Sequence, residues 1–230
     1  FIDTHIWVEV FKNIDGYRLS TYFYKEKDSD GGNIVMGPWW DYNLALGNAN
    51  YCDAANAEGF EVNTPCGGAN PFWWERLLED PNYRDLTKCR WEQYRGGAWS
   101  DENIHATIDS VENLLGEAQI RDHTRWPRLG QYVWPNAFIG ATYAEEMSFM
   151  RDWIDARLAW LDANISGTCA AGCTNPLACN YDPTSTYDDG SCEPCGCPGD
   201  INGDFTVSVM DVLLSVSYTH LTLPTSSQVV

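Results

Sequence analysis

Among the acidic residues, Asp41 has the sequence neighbours that most clearly indicate a chemical function. It lies in residues 37–47, GPWWDYNLALG, directly after two tryptophans and before Tyr42. A carboxylate that follows a strand and large aromatic rings is held at the rim of a core, where it can face a ligand. An acid in that setting seldom serves packing, so we interpret Asp41 as functional. Asn43 follows two residues later.

A second set of oxygen side chains lies in residues 200–211, DINGDFTVSVMD. Oxygen side chains at loop positions 1, 3, 5, 9 and 12 match a calcium-binding EF-hand loop, and position 7 offers a backbone carbonyl. Phe205 departs from the pattern, because Gly normally makes the sharp turn there. A solvated acidic turn is the alternative. The residues that would hold Ca²⁺ are Asp200, Asn202, Asp204, Thr206, Ser208 and Asp211.

The elements that would position Asp41 follow from the spacing of apolar residues. Apolar residues at helical spacing predict a helix over residues 1–14, and two strand-like runs around the turn at 28–32 predict a β-hairpin. A Gly- and Asn-rich loop, 47–70, precedes a helical remainder, whose helices are predicted to begin at Pro71, Pro81, Ser100 and Thr142. The last of them carries an apolar stripe typical of core packing: Met147, Met150, Ile154, Leu158 and Leu161. The predicted fold class is therefore α+β, dominated by helices.

Composition limits the partners and divides the chain. The net charge is −19, which argues against nucleic acid and anionic membranes, because both require basic patches. The sequence has no run of about 18 or more apolar residues, so it predicts no transmembrane segment. No Lys or Arg follows Arg157, whereas acidic residues are frequent after it. That change in composition predicts a domain boundary.

The nine cysteines indicate an oxidising compartment, and so an extracellular or cell-surface protein. Six of them crowd into residues 169–197, where an even set in a small acidic segment predicts disulfides. Zinc is the alternative, but the spacings miss the usual pairs and no His lies nearby. In the earlier part of the chain, Cys52 and Cys66 could close a loop. Cys89 would then remain as a buried thiol.

The order of strand, acidic turn, strand and Trp40-Asp41-Tyr42-Asn43 resembles the CotH family of secreted or surface-attached kinase-like proteins. The resemblance implies that residues 1–165 are the mostly helical C-terminal lobe of an atypical protein-kinase-like fold. It also implies a missing N-terminal lobe, since Lys12, Lys25 and Lys27 are not placed to anchor ATP phosphates. Residues 1–165 alone are therefore expected to be inactive.

The same resemblance assigns roles to individual residues. Asp15, in an Asn13-x-Asp15 setting, is the implied catalytic carboxylate. Asp41 is the implied principal ligand of Mg²⁺ or Mn²⁺ with ATP, with Asn43 beside it. Ser20 falls where kinases place a metal-binding Asn, and a hydroxyl is a poorer ligand. The implied activity is phosphoryl transfer to Ser or Thr of an extracellular protein, and the alternative is an adhesin or scaffold-attached binding protein.

The C-terminal part resembles small calcium modules. Residues 166–197 are similar to thrombospondin type-3 calcium repeats, and residues 198–216 resemble half of a dockerin, with Asp rather than Glu at the twelfth loop position. Residues 217–230 look like translated sequencing-adapter read-through, so no function is assigned to them.

The calcium loop can be tested on a peptide spanning residues 196–215. We expect Ca²⁺ to bind in the millimolar range or tighter, because the loop offers side-chain oxygens at five positions. Titration calorimetry of the peptide, with an Asp200→Asn peptide as control, measures this. Absence of binding at millimolar Ca²⁺ would contradict the prediction.

Overall fold

Five α-helices and one antiparallel β-hairpin form the unit Phe1–Cys169. They are seen in a computed structural model that describes residues 1–194 of the chain. A second unit begins at Ala170. The helices are α1 Ile2–Phe11, α2 Phe72–Glu79, α3 Pro81–Arg95, α4 Asp101–Arg125 and α5 Tyr143–Asn164, and the strands are β1 Phe23–Lys25 and β2 Ile34–Met36. The α+β, mainly helical class is confirmed.

The predicted hairpin is confirmed, although its first strand is shorter than the sequence suggests. Phe23 pairs with Met36 and Lys25 with Ile34, around a single turn of 3₁₀ helix at Asp28–Asp30. The strand-like run before Phe23 is a turn instead. The Asp15 carbonyl accepts hydrogen bonds from the three successive amides of residues 18–20. The backbone therefore forms a turn here and is not extended.

Helix α1 ends three residues before the predicted limit, at Phe11. Lys12 has a φ of 45°, in the left-handed region that terminates helices. Its ammonium group is fully buried and donates to the carbonyls of Asp53, Asn56 and Glu58, at 2.9, 2.8 and 2.7 Å. A buried ammonium needs such partners, because an unpaired charge in the interior is costly. Lys12 therefore fixes the loop that crosses the end of α1.

The predicted helix starts are confirmed. Pro71 precedes α2, and Pro81 is the first residue of α3. The Ser100 hydroxyl accepts from the amide of Asn103, and the Thr142 hydroxyl accepts from the amide of Glu145. These caps satisfy amides that would have no partner at the start of a helix.

The main core lies where α1, α3 and α5 meet. It comprises Ile6, Val10, Trp91, Trp153, Ile154, Leu158 and Leu161, all buried. Three members of the predicted α5 stripe, Ile154, Leu158 and Leu161, belong to this core, whereas Met147 and Met150 are only partly buried. A charged residue, Arg157, is also fully buried on the same helix.

Arg157 binds α1 and the loop after it through one guanidinium. It donates to the Glu9 carbonyl at 2.8 Å and to the Glu9 carboxylate at 3.0 Å, and it donates to the carbonyls of Ala57 and Gly59. The Glu9 carboxylate also accepts from the amides of Glu61 and Val62, at 2.8 and 3.0 Å. The Tyr17 hydroxyl donates to the Glu9 carboxylate as well, at 2.7 Å. The buried pair thus has backbone groups, a hydroxyl and the opposite charge as partners, as a buried ion pair requires.

The disulfides confirm one predicted pair and correct another. Cys52 is bonded to Cys66, as predicted. Cys89 is not a free thiol, because it is bonded to Cys169. This bond ties α3 to the end of the first unit, so Cys169 does not pair among the clustered cysteines that follow it.

The described part of the second unit, residues 170–194, is small and cross-linked. Strand β3, Ala171–Gly172, pairs in parallel with β4, Tyr187–Asp188. Cys173 is bonded to Cys192, and Cys179 is also disulfide-bonded, so disulfides rather than zinc are confirmed here. The likeness of this segment to calcium repeats stays a prediction. The predicted dockerin-like loop and the tail after it lie outside the described residues.

Within residues 1–194, no helix combines the length and the apolar character needed to cross a bilayer.

The buried ion pair yields a stability prediction. Arg157→Met should lower the free energy of unfolding by about 3 to 5 kcal/mol, because it leaves Glu9 buried without a compensating charge. Arg121→Met is the matched control, since Arg121 pairs with Glu117 on the surface with 70% of its side chain exposed; its effect should stay within about 0.5 kcal/mol. Urea denaturation measures both. Equal stability of the two variants would contradict the prediction.

Candidate functional site

Asn13 joins the backbones of the two acidic residues that the sequence singles out. Its side chain is fully buried directly after α1. The amide nitrogen of the side chain donates to the Asp41 carbonyl at 3.3 Å, and its oxygen accepts from the Asp15 amide at 3.2 Å. One buried amide group thus anchors two segments that are distant in sequence. The structure brings Asp15 and Asp41 to the same site.

The backbone holds Asp41 in an unusual conformation. Its φ is 63°, in the left-handed region that non-glycine residues seldom adopt, although Asp tolerates it better than most. The side chain is exposed, whereas the carbonyl is held by Asn13. A residue kept in such a conformation by a buried partner is a recognised mark of functional sites.

Aromatic packing secures the segment around Asp41 to α1. Trp39 stacks on Trp7, with ring centroids 4.0 Å apart. Tyr42 packs edge-on against Phe11 at 5.9 Å. Burial raises the pKa of Tyr42, which also hydrogen-bonds to Asn13, so its hydroxyl stays protonated. The rings therefore fix the backbone on both sides of Asp41.

Asp15 is half-buried, and its environment changes the pKa of its carboxyl group. Burial raises the pKa of the Asp15 carboxyl, and the negative charge of Asp41 raises it further, whereas Arg18 lowers it. Asp15 in turn contributes to a raised pKa of Tyr51, after burial of that ring. The charge of Asp15 thus interacts with Asp41, Arg18 and Tyr51.

Ser20 and Asn43 differ in how they relate to this pair. Ser20 is buried, and its amide donates to the Asp15 carbonyl at 2.8 Å, so it belongs to the same turn. Asn43 is exposed, and its carbonyl accepts from the Asn48 side chain at 2.8 Å. In the described part of the chain, no hydrogen bond joins Asn43 to Asp15 or Asp41.

Arg18 is a member of the site that the sequence did not indicate. Its guanidinium donates to the Cys66 carbonyl at 2.8 Å and lies against the backbone of Gly67 and Gly68. Because Cys66 is bonded to Cys52, this contact connects the site to a disulfide-closed loop. The position of Arg18, three residues after Asp15, was the only signal available in the sequence.

The tryptophans that flank the site in sequence, Trp39, Trp40, Trp73 and Trp74, do not line a common groove. Trp74 has no exposed surface and packs in a core with Val8 and Tyr17. Trp39 and Trp40 are half-exposed, at 50% and 58%. The four rings therefore do not form one surface, and an exposed aromatic patch near Asp41 has to rely on Trp39 and Trp40.

The site offers few protein ligands for a metal. Among residues 1–194, no group of three or more His, Cys, Asp or Glu residues is arranged to hold an ion. Mg²⁺ in phosphate-binding sites uses one or two carboxylates and completes its shell with phosphates and water. The exposed Asp41 carboxylate is compatible with that requirement. The predicted calcium ligands, Asp200, Asn202, Asp204, Thr206, Ser208 and Asp211, lie outside the described residues.

Comparison with protein families gives a match to this part of the chain. The family model for the CotH kinase protein matches residues 1–161, which contain Asp15, Arg18 and Asp41. The chain belongs to the CotH kinase family. No curated protein and no solved structure matches it.

This CotH-family unit also buries an acid that the sequence did not reveal. Glu61 is 1% exposed, and one of its carboxylate oxygens has no hydrogen-bond partner in the described residues. Burial, followed by the charge of Glu9, raises the pKa of Glu61 to about 8, whereas Lys12 and Arg157 act in the opposite direction. Glu61 is therefore neutral in the folded protein at neutral pH.

Glu61 gives a pH-dependent stability. Its ordinary pKa is 4.5 and its folded pKa is about 8, so between these values the folded state binds a proton that the unfolded state has lost. The free energy of unfolding should therefore fall as pH rises from 5 to 8. Glu61→Gln should match the wild type near pH 5 and be more stable by at least about 1 kcal/mol at pH 8.

The measurement is urea denaturation of each protein at several pH values. Glu58→Gln is the control, because Glu58 is exposed and should leave the pH dependence unchanged. A wild type and a Glu61→Gln variant with parallel pH profiles would contradict the assignment.

Proposed function

We propose that this protein is an atypical kinase that transfers a phosphoryl group from ATP to Ser or Thr of an extracellular protein. Membership of the CotH kinase family supports the reaction class. The observation that carries the proposal is the anchoring of Asp15 and Asp41 by one buried side chain, Asn13. Three disulfides among the described residues favour an extracellular location.

Asp15 is proposed as the residue that positions the acceptor hydroxyl and accepts its proton. A general base must be ionised at the working pH and lie within hydrogen-bond reach of that proton. Burial raises the pKa of Asp15 from an ordinary value of 3.8, which makes it a better base than an exposed Asp. Its half-buried side chain also leaves part of the carboxylate open to a substrate.

Asp41 is proposed as the principal metal ligand, with Asn43 and Ser20 as secondary oxygen ligands. Mg²⁺ or Mn²⁺, when bound with ATP, would neutralise charge on the phosphoryl oxygens. The exposed Asp41 carboxylate is suited to this role, because a metal that arrives with a nucleotide needs an accessible ligand. The fixed backbone of Asp41 would limit the loss of conformational entropy on binding.

A binding role is the second proposal, and exposed aromatic residues favour it. Tyr22, Phe23 and Tyr24 on the hairpin are at least half-exposed, as are Trp39 and Trp40. Exposed aromatic patches are frequent in protein and ligand interfaces. An adhesin attached to a cell surface or scaffold would use such a patch, and a C-terminal calcium module, proposed at residues 200–211, would suit attachment.

The kinase proposal predicts a large effect of one side chain. Asp41→Ala in the full-length protein should reduce phosphorylation of a protein substrate by about a hundredfold or more, because the metal–nucleotide complex loses its main ligand. Transfer of ³²P from labelled ATP, with Mg²⁺ or Mn²⁺ present, measures this.

Asp30→Ala is the matched control for Asp41→Ala. Asp30 is an exposed acid in the hairpin turn, so its removal changes the net charge equally and should leave the rate within about twofold. Equal activity of wild type and Asp41→Ala would overturn the metal assignment. A wild type that transfers no phosphate and binds no nucleotide would favour the binding role.

A further inference from the structure

A cavity of about 230 Å³ lies between α1, the loop at residues 60–63 and the first turns of α3. A neighbouring cavity of about 600 Å³ shares four of its lining residues: Val62, Asn63, Leu78 and Arg84. Because a cavity of about 150 Å³ can hold benzene, the smaller cavity has room for a ring or a short chain with two substituents. Neither cavity is lined by Asp15, Asp41, Asn43 or Ser20, so neither belongs to the candidate phosphoryl-transfer site.

His5 contributes a polar group to the lining of the smaller cavity. Only 6% of the residue is exposed, and its Nδ1 atom lies 2.6 Å from the Tyr17 hydroxyl oxygen. That hydroxyl has a single hydrogen and lies 2.7 Å from the Glu9 carboxylate, which is ion-paired with Arg157 and can only accept. The Tyr17 hydroxyl therefore donates to Glu9 and accepts from the Nδ1–H group of His5.

This arrangement leaves the second ring nitrogen of His5 as an acceptor. Burial lowers the pKa of His5, so the imidazole is neutral and carries its one N–H group at Nδ1. No hydrogen bond reaches Nε2 from any residue in the described part of the chain. His5 is therefore a buried polar side chain with an unused lone pair, and it lines the smaller cavity.

Arg84 contributes the charge of the smaller cavity. One nitrogen of its guanidinium donates to the carbonyls of Leu78 and Glu79, at 2.7 and 3.2 Å, at the end of α2. The carboxylate of Glu79 is paired with Arg76 instead, at 2.9 Å. Among residues 1–194, no ion pair joins Arg84 to an acidic side chain, although the chain has a net charge of −19. The half-buried guanidinium can therefore take an anion from outside the chain.

The segment after α5, which completes the wall of the smaller cavity, is fixed to α3. The amide of Thr168 donates to the Asp85 carboxylate at 2.7 Å, and Cys169 is bonded to Cys89. Between them, Gly167 has a φ of 129°, and a Cβ atom there would lie 2.5 Å from the Arg84 carbonyl oxygen. The wall is therefore in place before a ligand arrives, which reduces the entropy lost on binding.

We propose that the smaller cavity binds a small organic acid that carries a hydroxyl group at the end opposite its carboxylate. The carboxylate pairs with the Arg84 guanidinium, and the hydroxyl donates to Nε2 of His5. The apolar body of the ligand packs against the apolar side chains of the lining: Phe60, Val62, Leu78 and Ile165. This binding site goes beyond the proposed phosphoryl transfer and does not depend on it.

Two probes of this class, one aromatic and one aliphatic, are 4-hydroxyphenylacetate and 6-hydroxyhexanoate. Titration calorimetry on residues 1–230 should show that at least one of them binds with a Kd in the millimolar range or tighter. For the aromatic probe, phenylacetate lacks the hydroxyl and should bind about threefold more weakly or worse. The alcohol 4-(2-hydroxyethyl)phenol lacks the carboxylate and should bind at least about tenfold more weakly. The corresponding aliphatic pair is hexanoate and 1,6-hexanediol.

Arg84→Met should weaken binding of the acid by at least about tenfold, because the carboxylate loses its cation. Arg76→Met is the matched control, since Arg76 lies on α2 with 74% of its side chain exposed and lines neither cavity. Its Kd should stay within about twofold of the wild type. Circular dichroism establishes that each variant is folded. The comparison of probes on the wild type supplies the test even if Arg84→Met does not fold.

Three results would overturn the proposal. The first is that neither hydroxy acid binds saturably up to about 10 mM. The second is that the acid and the matching alcohol bind equally well, since the guanidinium would then have no part in binding. The third is that folded Arg84→Met binds the acid as the wild type does, in which case Arg84 serves only the end of α2.

Discussion

The buried ion pair between Glu9 and Arg157 is the interaction on which the rest of the first unit depends. It joins α1 to α5 across 148 positions of sequence, and its oxygen and nitrogen atoms also bind the backbone of residues 57–62. Burying two charges is expensive unless every polar atom finds a partner. The geometry of both helices and of the intervening loop is therefore constrained together, and small shifts of α5 would disturb the loop as well as the core.

The geometry of the candidate site depends on this ion pair and on the buried residues that follow Glu9. Glu9, Lys12 and Asn13 follow one another within a single turn at the end of α1, and all three are buried. Glu9 fixes α1 to α5, and Lys12 fixes the loop that contains Asn56. Asn13 fixes the backbones of Asp15 and Asp41. Buried polar groups thus fix the positions of two acidic residues at the rim of the core, where a nucleotide and a metal are proposed to bind.

Features of the fold that depend on neighbouring residues could be predicted from the sequence. Features that depend on partners far away in the sequence could not. Helix starts at Ser100 and Thr142, the hairpin and the Cys52–Cys66 bond depend on neighbouring residues or short loops, so spacing and residue type sufficed. The burial of Arg157 could not be read from α5 alone, because its partner lies on α1. Cys89 was misjudged for the same reason, since its partner Cys169 is 80 residues away. At the candidate site, the sequence singled out Asp15 and Asp41, which stay predictions, whereas Arg18 needed the fold to show what it contacts.

The proposed function requires Asp15 and Asp41 to lie in one metal–nucleotide site. Paramagnetic broadening of amide signals by substoichiometric Mn²⁺ with ATP, measured by NMR on residues 1–230, tests it most directly, because broadening depends steeply on distance from the ion. We expect the signals around Asp15 and those around Asp41 to broaden together, and Asp41→Asn to remove both effects. Broadening centred on the exposed acids of the turn at Asp28–Asp30, or at one of the two carboxylates without the other, would contradict it.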